Sequence, residues 1–239
     1  MSPMRPFLLL GLALGAGVYL DAAAAQFASG PNRVALIELF TSEGCSSCPP
    51  AERWLAALRD EPGLWRDFVP VAFHVDYWNR LGWPDRFSTR EFTQREYAYA
   101  TAWASPSVYT PCVVRDGAEW TGSRPLAPSG TAAGKLTVRY DGAVVHAEFS
   151  PLASSAGGPF ELHAAILGGG IISPVSAGEN RGETLHHEFV ALKMAHAPLG
   201  RDLSLPVPKV TGVARHALAV WVTRPGELTP LQATGGWLD

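Results

Sequence analysis

The chain has 239 residues, a formal net charge of −3 at pH 7, 47% hydrophobic residues and 17% charged residues. This composition is too apolar for a disordered chain, and a charge so close to zero, without blocks of like charge, argues against a nucleic-acid partner. Three cysteines are too few for a small scaffold held together by disulfides. The length allows one or two domains with hydrophobic cores.

Residues 1–25 are predicted to be a secretory signal peptide. Arg5 precedes an apolar run over residues 6–20, and the small residues Ala22–Ala25 suit a signal peptidase. The apolar run is shorter than the roughly 20 residues that a membrane anchor needs, which favours cleavage. No other stretch of the sequence is apolar enough to span a bilayer. We therefore expect a periplasmic or secreted protein with no membrane span after signal cleavage.

The first half of the mature chain shows a strand–helix–strand rhythm. Two apolar runs typical of buried strands flank a segment with helical spacing, which predicts a βαβ unit with a parallel strand pair. We place this domain at residues 31–124. Its predicted elements are a strand over 34–40, a helix from 51, a strand over 68–75, a helix over 85–104 and a hairpin over 113–121.

Charged residues on the two predicted helices are expected to face water, because the apolar residues at helical spacing occupy the other face. These charged residues are Glu52, Arg53 and Arg59 on the first helix, and Arg90, Glu91, Arg95 and Glu96 on the second.

The second half changes to strands that alternate apolar and polar residues. A segment over 122–134, rich in Gly, Pro, Ser and Ala, is typical of a linker. Asp141-Gly142 between two alternating runs predicts a hairpin. Six strands without a convincing helix predict a small β-sandwich-like domain over residues 135–239. These strands are 136–140, 144–149, 160–167, 184–194, 201–205 and 215–223.

The chemistry is expected at Cys45-Ser46-Ser47-Cys48, between the first strand and the first helix. The positive end of a helix dipole and its unpaired N–H groups favour a thiolate. A thiolate attacks disulfides, and a second thiol three residues later resolves the mixed disulfide. The two prolines that follow suit a first helical turn and place Cys48 near the N-cap. A C-x-x-C in this strand–helix context predicts a redox pair.

The segment from Thr41 to Leu55 resembles the signature of a secreted thioredoxin-like family of unknown function, domain of unknown function 1223. The similarity continues through Phe73-His74-Val75-Asp76-Tyr77-Trp78 and through Val108-Tyr109-Thr110-Pro111. Matching motifs span about residues 34–122. The fold class that the resemblance implies, together with the patterns above, is α/β plus β: a thioredoxin-like N-terminal domain with a C-terminal β-sandwich-like domain.

The resemblance also implies a role for Pro111. In the thioredoxin superfamily a cis-proline opens the strand that faces the redox cysteines, and Thr110-Pro111 matches that position. Two features depart from the pattern. The stretch between Cys48 and Pro111 is longer than in thioredoxin, and Cys112 stands where the family more often has a polar residue.

Several residues have a structural interpretation beside the functional one. His74 and Asp76 lie on one face of a strand end, where they form either a structural hydrogen bond or a proton shuttle. His186 and His187 face opposite sides of a predicted strand and therefore make a poor chelate. The C-x-x-C itself is a redox pair, a permanent disulfide or part of a metal site.

Three functions follow from these alternatives. The leading hypothesis is an exported thiol–disulfide oxidoreductase in which Cys45 attacks, Cys48 resolves and Pro111 shapes the substrate edge, with His74, Asp76 and Thr110 as auxiliary residues. Its expected partners are protein thiols or disulfides, and it needs no cofactor or metal. The second hypothesis is a copper-handling protein that uses the cysteine pair and His74. The third is a non-catalytic envelope interaction protein with a structural disulfide.

Cys112 is expected to stay a free, largely buried thiol while Cys45 pairs with Cys48. If Pro111 occupies the cis-proline position, Cys112 lies one residue into the strand that faces the redox loop. Side chains alternate along a strand, so the backbone near Thr110 approaches the C-x-x-C and the Cys112 sulfur points elsewhere.

Overall fold

The computed structural model describes residues 24–121, 126–152 and 157–238, so residues 1–23 of the predicted signal peptide and residues 122–125 of the predicted linker lie outside the described residues. The helices of the described residues are α1 (Pro49–Ala57) and α2 (Arg90–Ala102), with 3₁₀ turns at Leu58–Asp60 and Asn79–Leu81. The strands in chain order are β1 (Ala25–Ala28), β2 (Ala35–Thr41), β3 (Phe68–His74), β4 (Cys112–Arg115), β5 (Ala118–Glu119), β6 (Gly134–Tyr140), β7 (Val144–Pro151), β8 (Glu161–Gly169), β9 (Ile171–Pro174), β10 (Thr184–His187), β11 (Val190–Pro198), β12 (Leu203–Ser204), β13 (Arg215–Thr223) and β14 (Gln232–Trp237).

Eight strands form one mixed sheet in the order β14-β13-β8-β11-β3-β2-β4-β5. β2 and β3 are parallel and pair from Ala35↔Phe68 to Thr41↔His74, as the βαβ pattern predicts. β4 runs antiparallel to β2 on one side of this pair. β11 joins β3 on the other side. β2, which leads into the cysteine loop, and β3, which ends at His74, therefore lie in the interior of the sheet.

The predicted fold class, α/β plus β with a thioredoxin-like N-terminal domain beside a β-sandwich-like domain, is wrong. The described chain is mostly β-structure with two α-helices in large mixed sheets, and a thioredoxin-like α/β domain is not shown. β11 comes from the second half of the chain, yet the Ala72 N–H of β3 donates to the Phe189 carbonyl beside it. β3 is buried along its whole length and needs backbone partners on both edges. Periodicity within a segment does not identify the distant strand that supplies them. The boundaries at 31–124 and 135–239 stay predictions.

A four-stranded sheet, β1-β6-β7-β12, packs on one face of the eight-stranded sheet. Leu136 and Val138 on β6 share a hydrophobic core with Ile166 on β8. Leu167, one residue further along β8, points into the other core, which it shares with β2, β3 and both helices. Because side chains alternate along a strand, β8 is buried on both faces.

β9 and β10 form a separate two-stranded sheet, and β10 lies against α1. Leu185 and His187 of β10 are buried, whereas Thr184 and His186 are exposed. The predicted opposite orientation of the two histidines is therefore present. Among the described residues, no helix is both long enough and apolar enough to cross a membrane.

Three charged side chains that the helical pattern places in water are buried instead: Glu52 on α1, and Arg95 and Glu96 on α2. Arg53, Arg59, Arg90 and Glu91 are exposed as expected. The helices of this chain are covered on more than their apolar face, because strands and loops from the second half pack against them.

Candidate functional site

Cys45 and Cys48 form a disulfide at the start of α1, with 5.4 Å between their Cα atoms. The chain leaves β2 at Thr41, turns, and enters the helix at Cys48, which is the N-cap residue. The Cys48 carbonyl accepts the first helical hydrogen bonds from Ala51 N (3.0 Å) and Glu52 N (3.1 Å). The predicted pairing of the two cysteines and the predicted position of Cys48 are both present.

The segment opposite the disulfide is Thr110-Pro111, whose peptide bond is cis. The Cys45 Sγ lies 3.8 Å from the Thr110 carbonyl oxygen, and the Ser47 hydroxyl donates to the same oxygen at 3.4 Å. The Trp78 indole N–H fixes this segment by donating to Thr110 Oγ1 at 2.7 Å. The structure thus brings Thr110 and Pro111 beside Cys45.

Two tryptophans stand beside this segment and line an open cleft of about 350 Å³. The rings of Trp54 on α1 and Trp120 after β5 lie 5.2 Å apart. Pro111 and the half-exposed Tyr109 complete the wall nearest the disulfide. The cleft therefore offers an apolar surface next to the cysteine pair.

A loop over residues 175–183, here called the cover loop, closes over the other side of the disulfide. The Glu179 carboxylate accepts hydrogen bonds from Ser46 N (3.1 Å) and Ser46 Oγ (2.7 Å). The Asn180 side-chain amide donates to the carbonyls of Glu43 and Cys45, at 2.9 Å each. Both sulfur-bearing residues are buried, whereas Ser46 and Ser47 are exposed.

Cys112 is a free, buried cysteine at the first position of β4, as predicted. Burial raises the pKa of its thiol to about 12. Cys112 is therefore protonated at neutral pH and is a poor nucleophile.

His74 and Asp76 lie close in sequence but have separate partners. His74 ends β3 and is fully buried, with its Nδ1 2.7 Å from Asp85 Oδ2. Asp76 instead holds α2, because its Oδ1 accepts from Thr93 Oγ1 at 2.6 Å and its backbone N–H donates back to the same hydroxyl at 2.9 Å. The structure brings His74, but not Asp76, into a cluster of buried charged groups.

The histidine–carboxylate cluster consists of Glu43, Glu52, His74, Asp85 and His187. It lies beneath the cysteine loop, where α1, β3 and β10 meet. His187 Nε2 is 3.2 Å from Glu43 Oε1, and its Nδ1 is 2.8 Å from Glu52 Oε2. Ligand atoms of Glu52, His74 and His187 all lie within 4.8 Å of one another.

The charges in this cluster shift one another's protonation. Burial alone lowers the pKa of His187, but the hydrogen bonds and charges of Glu43 and Glu52 raise it to about 10. Burial likewise opposes the charged form of His74, and Asp85 raises its pKa. For the three carboxyl groups the histidine contacts outweigh burial and lower the pKa.

Of the residues in this cluster, sequence reasoning identified only His74 as a candidate site residue. Glu43 and Glu52 flank the cysteine motif, and nothing in their spacing distinguishes them from surface residues. The opposite orientations of His186 and His187 argue against a chelate formed by these two residues. His187 alone still belongs to the cluster, because Glu52 and His74 lie beside it. No sequence pattern indicates the role of Glu179 and Asn180 of the cover loop either, because both lie more than 130 residues from the groups they contact.

The family of this chain can now be given. A family model described as a protein of unknown function, DUF1223, matches residues 36–223. The chain belongs to this family, as its cysteine motif indicates. No curated protein matches the chain.

Two solved structures resemble the chain in fold. One is the X-ray crystal structure of a protein from Agrobacterium tumefaciens, with 23% sequence identity and a TM-score of 0.62 over 86% of this chain and 95% of that chain. The other is HBP35 of Porphyromonas gingivalis, with 14% identity and a TM-score of 0.58 over 88% of this chain and 77% of that chain. At these identities the likeness concerns the fold alone.

Proposed function

We propose that this protein is an exported thiol–disulfide oxidoreductase that uses Cys45 and Cys48 on protein thiols or disulfides. The observation that carries the proposal is the Cys45–Cys48 disulfide at the start of α1, with Thr110 and an apolar cleft beside it. Export supplies a compartment in which disulfides persist.

The start of α1 favours a thiolate in the reduced protein. Pro49 and Pro50 have no N–H, and the Ala51 and Glu52 N–H groups bond the Cys48 carbonyl, so the stabilisation comes from the helix dipole, which is positive at this end. Ser47 Oγ, 3.3 Å from Cys45 Sγ, is a donor once that sulfur is charged. These groups support Cys45 as the attacking sulfur.

The exchange proceeds in two balanced steps. In the reduced protein, the Cys45 thiolate attacks a substrate disulfide, forms a Cys45–substrate bond and releases one substrate sulfur as a thiolate. Cys48 loses its proton and attacks the Cys45 sulfur, which forms the Cys45–Cys48 disulfide and releases the second substrate thiolate. Two electrons pass to the substrate, and the reverse sequence oxidises a substrate dithiol.

Thr110 and the cleft are the substrate-positioning elements of this proposal. The Thr110 carbonyl faces Cys45, so an extended substrate segment lying along Pro111 places its own backbone N–H near that oxygen. Trp54 and Trp120 offer an apolar surface for a neighbouring substrate side chain. No sequence-specific pocket is needed for such recognition.

The test is insulin reduction and refolding of a reduced disulfide protein, with Cys45→Ser, Cys48→Ser and the double variant. We expect the Cys45→Ser and double variants to lose activity, and Cys48→Ser to accumulate mixed disulfides. Cys112→Ser is the matched control, because it removes the third cysteine and should retain activity. Wild-type activity equal to that of the double variant would contradict the proposal.

A glutathione redox titration separates this proposal from the non-catalytic alternative. Structural disulfides typically have reduction potentials below about −300 mV, whereas exchange-active ones are higher. A potential below that value for Cys45–Cys48 would assign the bond to a structural role in an envelope interaction protein. For the copper alternative, no contact of the described residues places His74 at the sulfurs.

A further inference from the structure

We propose that Glu52, His74 and His187 bind a divalent transition-metal ion beneath the cysteine loop. The three residues come from α1, β3 and β10, and all three are buried. Two imidazoles and one carboxylate are a ligand set that proteins use for Zn²⁺ and for Fe²⁺. The site is separate from the cysteine pair, whose sulfurs are bonded to each other and offer no thiolate.

One imidazole nitrogen of this cluster is buried without any partner, and a second has only the Glu52 carboxylate. They are His74 Nε2 and His187 Nδ1, and both are fully buried. His187 Nδ1 forms an ion pair with Glu52 Oε2 at 2.8 Å, a contact that an ion between the two groups would replace. Buried polar atoms are nearly always satisfied, so the unpartnered His74 Nε2 beside this ion pair indicates a missing ligand.

The distances suit an ion after a small adjustment. Ligand atoms about 2.1 Å from a tetrahedral ion stand roughly 3.4 Å apart. The three ligand atoms of Glu52, His74 and His187 already lie within 4.8 Å of one another. Side-chain movements of about an ångström therefore bring them to bonding distance, with one position left for a water molecule.

Each of the two histidine ligands has a carboxylate beside its other ring nitrogen, as metal-binding histidines usually do. His74 Nδ1 lies 2.7 Å from Asp85 Oδ2, and His187 Nε2 lies 3.2 Å from Glu43 Oε1. Metal-binding histidines characteristically donate their second ring N–H to a carboxylate, which fixes the tautomer and the ring orientation.

The third ligand is anchored too. The Thr41 hydroxyl donates to Glu52 Oε1 at 2.5 Å, which leaves Oε2 for the ion. Glu43, behind His187, is itself held by the Trp83 indole N–H at 2.7 Å. The supporting contacts thus use the other atoms of the three side chains and leave His74 Nε2, His187 Nδ1 and Glu52 Oε2 for the ion.

The charge of the cluster also fits a divalent ion. Three buried carboxylates, those of Glu43, Glu52 and Asp85, need positive charge nearby. The His74 and His187 rings are 5.3 Å apart between centroids, so two imidazolium ions would repel each other there. One divalent ion bound by both rings and by Glu52 supplies the positive charge at a single point.

The test is titration of the metal-free, oxidised protein with Co²⁺, followed by visible absorption and by displacement with Zn²⁺. We expect one Co²⁺ per chain, d–d bands of a four- or five-coordinate N/O site, and no sulfur-to-cobalt charge-transfer band. Absence of saturable Co²⁺ binding to the folded wild-type chain would overturn the proposal.

Variants assign the ligands. His187→Gln and Glu52→Gln should weaken Co²⁺ binding more than 100-fold, and Asp85→Asn about 10- to 100-fold. His186→Gln, one residue away on the exposed face of β10, is the matched control and should bind as the wild type does. The Cys45→Ser/Cys48→Ser variant should also bind normally. Loss of binding in that variant, or normal binding by a folded His187→Gln protein, would refute this ligand set.

Discussion

Two groups of charged side chains that are buried among the described residues differ in their hydrogen bonding. The first, here called the arginine network, joins Glu38 of β2 to Arg95 and Tyr99 of α2. Arg95 Nε donates to Glu38 Oε1 at 2.6 Å, and the Tyr99 hydroxyl donates to the other Glu38 oxygen. The Arg95 guanidinium also lies 5.4 Å from the ring centre of Trp221.

Within the described residues, no side-chain atom of Glu38, Arg95 or Tyr99 is buried without a partner. The histidine–carboxylate cluster, in contrast, leaves His74 Nε2 buried without a partner. A closed network needs nothing further and fixes the packing of α2 on β2. An open one of similar burial has capacity for a ligand. This difference in hydrogen bonding distinguishes a structural ion pair from a candidate binding site, although both consist of buried charged groups.

The largest effect should come from breaking the closed network. Arg95→Met leaves the Glu38 carboxylate buried without its cation, which should lower the free energy of unfolding by about 3–5 kcal/mol. Urea denaturation measures this loss. The double variant Glu38→Gln/Arg95→Met removes both charges and should recover much of the stability. Equal destabilisation of the single and double variants would show that the network acts through packing alone.

The open cluster should respond to metal, and the closed network should not. At a free Zn²⁺ concentration 100 times its Kd, the wild-type free energy of unfolding should rise by about 2.7 kcal/mol. His186→Gln should show the same gain, and His187→Gln should show none. Thermal unfolding with and without a chelator measures it. A gain in His187→Gln equal to that in the wild type would place the ion elsewhere.

Glu96 is a third case, a buried acid for which the described part of the chain supplies no ion-pair cation. Burial raises its pKa to about 7, although hydrogen bonds from the Tyr77 hydroxyl and the Tyr109 N–H oppose the rise. Because the folded pKa exceeds the ordinary glutamate pKa of 4.5, the contribution of Glu96 to stability is complete below about pH 4.5 and is lost as the pH rises towards 7.

The wild-type free energy of unfolding should therefore carry a downward component from Glu96, at most about 1.4 kcal/mol per pH unit, over this range. Glu96→Gln should remove this component, which urea denaturation at pH 4.5, 5.5, 6.5 and 7.5 measures. Glu91→Gln, an exposed position on the same helix, is the control. An unchanged pH profile in Glu96→Gln would show that the carboxyl is ionised throughout.

The sequence predicted the local features of the site better than its surroundings. The strand–loop–helix around Cys45 and Cys48 is encoded within a short segment, by apolar runs and the two prolines, and it is present as predicted. Glu52 and Arg95 were placed in water because helical spacing separates only one apolar face from the rest. That rule fails where β10 or the central sheet covers the polar face, and such contacts join residues more than 50 positions apart.

The fold class failed for the same reason. The pairing of β11 with β3 decides that the two halves share one sheet, and neither strand carries a mark of its partner. His187 illustrates the consequence for predicting the site. Its position in a strand follows from the sequence pattern, but its partners Glu43 and Glu52 lie more than 130 residues away. Local periodicity predicts individual helices and strands. A site whose residues come from distant elements can be predicted only when the packing of those elements is known.

The smallest expected effect concerns the cover loop, where an exposed carboxylate holds the cysteine loop. Glu179→Ala removes the two hydrogen bonds to Ser46, and because both are exposed to water they stabilise the cover loop only slightly. If opening of the cover loop precedes attack on the buried disulfide, reduction of Cys45–Cys48 by dithiothreitol should become up to about fivefold faster. Glu183→Ala, an exposed acid on the same loop, is the matched control and should react at the wild-type rate. Equal rates for Glu179→Ala and the wild type would mean that reductants reach the sulfurs from the Thr110 side, without displacing the cover loop.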